Sequence, residues 1–126
     1  MHRYLDPRGL PEFREAAAAW WKRRYGVGLD PETEVLATIG TREGIGHAAI
    51  ALLAPGDALM APAPAFPVHS HAAVLAGAET IPVPVGPGVD FMESLFLAAE
   101  KAERRPRGLL VNFPSNPTTA TATPEL

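Results

Sequence analysis

Residues 37–57 read "ATIGTREGIGHAAIALLAPGD". The apolar run Val35–Ile39, which predicts a short strand, ends in Gly40-Thr41, and a helical pattern begins at once. Thr41 is the expected cap of a helix running from Arg42 to about Leu53, stopped by Pro55-Gly56-Asp57. That helix carries Gly44 and Gly46 in its first two turns, each costing about 1 kcal/mol against alanine. A strand that turns straight into a helix offers backbone N–H groups and the positive end of the dipole to an anion, often a phosphate. Gly40 would let the backbone come close. An ordinary βα turn with a threonine cap has the same residues. It is not a nucleotide loop, because the Gly-Lys-Ser/Thr ending is absent and the glycine spacing misses the dinucleotide fingerprint.

Outward from this turn the chain alternates. Pro11–Tyr25 predicts a helix, with Pro11 in the first turn, Gly26 as C-terminal cap and Lys22, Arg23 and Arg24 at the negative end of the dipole. Along it Phe13, Ala17, Trp20, Trp21 and Arg24 follow helical spacing. Asp30-Pro31-Glu32-Thr33 is a turn. Further strands are expected at 58–61, 79–85 and 108–113, and further helices at 67–76 and 91–104. Pro82 and Pro84 mark the 79–85 strand as an edge. The stretch "PSNPTTATATPEL", 114–126, is loop. Strands alternating with helices of ten to fourteen residues imply a mainly parallel sheet with right-handed crossovers, a three-layer α/β/α arrangement.

Composition narrows the function. The 126 residues are 47% apolar and carry a net charge of −3, so nothing favours nucleic acid or an acidic membrane surface. No apolar run reaches the 18 or so residues of a membrane span, and residues 1–6 lack a signal-peptide core, which makes the cytoplasm the default expectation. The absence of cysteine excludes disulfides and thiolate metal sites. The 14 prolines punctuate elements in a chain too apolar for disorder.

In parallel α/β sheets ligands gather beyond the carboxyl ends of the strands. Three unusual loops are expected there: Gly40-Thr41-Arg42, Pro62–Phe66 and Asn112–Asn116. Phe66, in "PAPAFPVH", is flanked by prolines that stiffen its backbone and could stack on a flat ring, although core packing is the commoner use of a lone phenylalanine. Asn116 lies between Pro114 and Pro117 and could hold its amide toward a ligand oxygen; an Asn-Pro turn is the plain alternative. His69 and His71, two apart, point to different faces of a helix, which argues against a metal pair. Arg3 and Tyr4 precede the first helix, and nothing internal assigns them a role.

Taken together, "RYLDPRGLPEFREA", "IGTREG", "PAPAFPVH" and "LLVNFPSNPTT" resemble the class I aminotransferases, pyridoxal-phosphate enzymes of fold type I. The resemblance runs from about residue 3 to 126 and is nearest the alanine (glutamate–pyruvate) transaminase branch, with aspartate, LL-diaminopimelate and methionine transaminases close by. It implies that residues 1–126 are the N-terminal part of the cofactor-binding large domain. It implies that Gly40, Thr41 and Arg42 seat the phosphate of pyridoxal 5′-phosphate, that Phe66 stacks on its ring, and that Asn116 meets its phenolic oxygen. Tyr4 would reach the phosphate in the partner subunit of a homodimer, and His69 would support the site from behind. The substrates implied are an amino acid and a 2-oxo acid. The family's Schiff-base lysine, the acidic partner of its ring nitrogen and its carboxylate-binding arginine would lie past Leu126, so no catalytic residue is expected in this chain. Lys22 and Lys101 lack the family's lysine context. The isolated chain would at most bind the cofactor. The family's Asn-Pro-Thr-Gly reads Asn-Pro-Thr-Thr here, with Thr119 replacing the glycine.

Overall fold

The computed structural model describes residues 4 and 6–123. Arg3 and residues 124–126 of the terminal loop lie outside the described residues. The chain forms two compact units, residues 1–43 and 44–126.

The first unit holds helix α1, Pro11–Tyr25, with the bounds expected from Pro11 and from Gly26, which caps it at φ +74. Its buried residues are Arg14 and Ala18, a different face from that of Phe13 and Trp20. Phe13, Trp20 and Trp21 are exposed in their unit, and the two tryptophans pack on each other and on Tyr25. Arg14, 1% exposed, tolerates burial because its guanidinium is matched. It pairs with Glu32 at 3.0 Å and donates to the carbonyls of Gly9 and Pro31. Asp30 organises the following turn by accepting from Glu32 N and Thr33 Oγ1. Residues 35–39 do not form the expected strand. Ala37 N donates to Arg8 O at 3.0 Å, but no strand lies alongside among the described residues, and Ile39 is 92% exposed. An apolar run is a strand only when a neighbour pairs with it.

Helix α2, Gly40–Leu52, begins earlier than expected. Gly40 opens it at φ +79, a left-handed conformation that glycine adopts freely. Thr41 is thus a helical residue and not the cap. The cap contacts come from either side of it, where Glu43 accepts from Ile39 N and Thr38 Oγ1 donates to Gly40 O.

In the second unit a three-stranded parallel sheet has the order β2-β1-β3, with β1 at Ala58–Ala63, β2 at Glu79–Pro84 and β3 at Pro106–Leu109. β2 is an edge strand, as its prolines required, and both face outward from the core. β3 begins and ends earlier than the expected 108–113. Leu110 N still reaches Met60 O, but from residue 111 the chain leaves the sheet. Helix α3, Pro67–Leu75, follows β1, and helix α4, Phe91–Lys101, follows β2, capped by Asp90. Met60, Ile81 and Val83 pack with Phe91 and Leu95 on the α4 face. On the other face Thr80 Oγ1 donates to Ser70 O of α3 at 2.8 Å. There α2 and β3 border an apolar groove lined by Leu52, Leu59 and Leu110. The sheet is thus covered on both sides.

Candidate functional site

The residues singled out from the sequence fall on both units. In the first, Gly40, Thr41 and Arg42 form the exposed first turn of α2. Gly40 and Thr41 lead the helix, so their N–H groups point out of its N-terminal end. Tyr4 is fully exposed.

In the second unit, β1 and β3 are parallel neighbours, so the chains leaving them emerge at one edge of the sheet. From β1 come Pro64 and Phe66; from β3 comes the Asn112–Asn116 segment. Phe66 is the N-cap residue of α3, half-buried, with extended backbone set by Pro67 behind it. Its ring stands edge-on to His69, 6.0 Å between centroids and 72° between planes. His69 is 6% exposed, and its Nδ1 has no hydrogen-bond partner. Burial pushes the imidazole below its ordinary pKa of 6.5, which keeps it neutral near pH 7. His71, on the opposite face, is exposed, so the two histidines are separated as their spacing required.

Asn116 stands exposed at the start of a turn, residues 116–118. Beneath it Ser115 is 4% exposed and closes the loop twice: its N–H donates to Ala120 O and its carbonyl accepts from Thr119 N, both at 2.8 Å. Phe113 anchors the segment against Phe91, 5.2 Å between centroids. Thr119 adopts φ +58, the left-handed region in which a β-branched residue is strained and a glycine is not. The position where the resembling family reads glycine is therefore one where the backbone asks for it. Two residues were not singled out by sequence reasoning. Asn112 Oδ1 accepts the Asn116 backbone N–H at 3.4 Å, and Ser115 Oγ is buried without a partner. The available signal was a polar residue, Asn112, closing the apolar run "LLV". Among the described residues no group of three or more His, Asp or Glu could hold a metal.

Chemically, the second unit presents a phenylalanine ring, a neutral histidine behind it and an outward carboxamide at one sheet edge. The first presents outward backbone N–H groups at a helix start. The second unit's groups suit a flat ring with a hydrogen-bonding oxygen, and the first unit's helix start, taken by itself, suits an anion. Two buried polar atoms, His69 Nδ1 and Ser115 Oγ, still lack partners in these same loops.

The second unit is thus a parallel α/β unit whose loops 64–69 and 112–119 leave the carboxyl edge of its sheet. The profile of the family "aminotransferase class I and II" matches residues 1–126, and the chain belongs to that family, whose enzymes depend on pyridoxal phosphate. It is 45% identical over 121 residues to an LL-diaminopimelate aminotransferase of Dehalococcoides mccartyi, covering 96% of this chain and 31% of that protein. It is 42% identical over 117 residues to the glutamate-pyruvate aminotransferase AlaC of Escherichia coli, covering 93% of this chain and 28% of that one. The N-succinyldiaminopimelate aminotransferase of Mycobacterium tuberculosis superposes with a TM-score of 0.86 at 35% identity, covering 98% of this chain and 33% of that one. The aromatic aminotransferase of Pyrococcus horikoshii gives the same TM-score at 31% identity, covering 98% and 33%. The chain thus spans about a third of the length of the relatives it matches.

Proposed function

We propose that this chain is the N-terminal part of the cofactor-binding large domain of an aminotransferase, which exchanges an amino group between an alanine-like amino acid and a 2-oxo acid. The observation that carries this is the family match over all 126 residues, joined to the loops at 64–69 and 112–119 that present Phe66, His69 and Asn116. Bound pyridoxal 5′-phosphate supplies an electron sink for the substrate's α-carbon. The chain's own residues bind and orient it. Backbone N–H groups of Gly40, Thr41 and Arg42 take the phosphate; the Phe66 ring covers one face of the pyridine; the Asn116 amide donates to the phenolic oxygen. His69 stays neutral behind Phe66, and Tyr4 serves the phosphate in the partner subunit of a cytoplasmic homodimer. An LL-diaminopimelate donor is a second reading, which the 45% identical relative supports as well as AlaC supports the first. An inactive remnant that only binds the cofactor is a third.

The test is a titration of the chain with pyridoxal 5′-phosphate and, separately, pyridoxal. Saturable binding that is at least tenfold tighter for the phosphorylated form is expected. Absence of saturable binding, or equal affinity for the two, would overturn the cofactor assignment.

A further inference from the structure

We infer that Asn112 is the positioning residue for Asn116, an inference that rests on the reading that Asn116 donates to the cofactor's phenolic oxygen. The segment from 110 to 120 is fixed at three places. At its start Leu110 N is held by Met60 O at 2.9 Å. In its middle the Phe113 ring lies against Phe91 in the core. At its end the Ser115–Ala120 loop is closed by the two 2.8 Å bonds through Ser115. Of these, the Thr119 N–H bond to Ser115 O holds the carbonyl side of the Ser115–Asn116 peptide. The N–H side of that peptide is held by the half-buried Asn112, whose Oδ1 accepts from Asn116 N at 3.4 Å. A carboxamide at an exposed turn tip keeps one orientation only if the peptide carrying it is held. Asn112 is thus a side chain that acts on the cofactor through another residue, and it needs no contact with the cofactor.

Asn112 needs to be an acceptor at that atom, which predicts a ranking of variants. Asn112→Asp keeps an oxygen in place; Asn112→Leu keeps the size and loses the acceptor. The readout is the preference for pyridoxal 5′-phosphate over its 3-deoxy analogue, which lacks the phenolic oxygen. One charge-assisted hydrogen bond is worth roughly tenfold in that ratio. Asn116→Ala is expected to lose it all, Asn112→Leu at least threefold of it, and Asn112→Asp little. In the Asn116→Ala background, Asn112→Leu is expected to change the ratio no further. A merely structural role would weaken both ligands equally and leave the ratio alone.

If Asn116→Ala keeps the full preference, the reading of Asn116 is wrong and this inference falls with it. If Asn116→Ala abolishes the preference while Asn112→Leu retains it, lowers both affinities in parallel, or still acts when Asn116 is gone, the reading of Asn116 stands and the role of Asn112 is overturned.

Discussion

Gly9 and Ala37 meet so closely that a single methyl group should unfold the first unit's packing. Gly9 sits at φ +90, and a Cβ built on it would lie 2.4 Å from the Ala37 Cβ. The next nearest atoms, Ala37 Cα and N, lie at ordinary distances of 3.6 and 3.7 Å. Gly9→Ala therefore carries two separable costs. The backbone strain of a left-handed alanine is about 1–2 kcal/mol. The overlap, more than 1 Å inside the usual ~3.5 Å carbon contact, adds about 1–3 kcal/mol of overpacking. Ala37→Gly removes the clashing atom and leaves the strain. The double-mutant cycle should thus give a single-variant loss of about 2–5 kcal/mol that falls to about 1–2 in the Ala37→Gly background. Both tryptophans, Trp20 and Trp21, lie in α1 of the same unit, so urea unfolding followed by tryptophan fluorescence reports it directly. Equal losses with and without the Ala37 methyl would refute the argument that close approach at this point requires glycine.

Further outcomes follow from the same contacts. Arg14→Ala leaves Glu32 resolvated, because that carboxylate is 57% exposed, but takes the donor from the carbonyls of Gly9 and Pro31 and should cost about 1–3 kcal/mol in the same fluorescence assay. Gly46→Ala should stabilise the second unit by about 1 kcal/mol from helix propensity, because the new methyl would rest in ordinary contact, 3.9 Å from Leu75 Cδ1; circular-dichroism melting checks it. Thr119→Gly relieves φ +58 and should add about 1 kcal/mol in the same melts. His69 binds its proton less readily folded than unfolded, since burial lowers its pKa from 6.5. The unfolded chain therefore holds more protons just below that pH, and stability should fall as the pH drops through 6.5 toward the folded value. His69→Gln should flatten that slope in urea unfolding between pH 7.5 and 5.

Much of the second unit was legible in the sequence. Pro67 and Gly77 bracket α3, and the outward Pro82 and Pro84 announce an edge strand, because each of these residues imposes its constraint locally. What could not be read depended on partners far along the chain. The run Val35–Ile39 has strand composition, yet the backbone N–H at its centre, that of Ala37, goes to Arg8 in a loop. "LLVNF" is apolar enough for a strand, but the pairing with β1 stops near Leu110. The buried side of α1 was invisible because it is an arginine, and only Glu32 and the carbonyls of Gly9 and Pro31 make its burial tolerable. Of the candidate site, Phe66 and Asn116 stood out through their flanking prolines. Asn112 did not, since its meaning lies in one hydrogen bond to a residue four positions on.

The most direct test of the cofactor assignment is an NMR titration of the isotope-labelled chain with pyridoxal 5′-phosphate, read residue by residue. The account predicts that the backbone amides of Gly40, Thr41 and Arg42, the Phe66 ring and the Asn116 side-chain amide shift together along one binding curve. Shifts confined to other surfaces, such as the apolar groove at Leu52, Leu59 and Leu110, or no shifts at all, would contradict it.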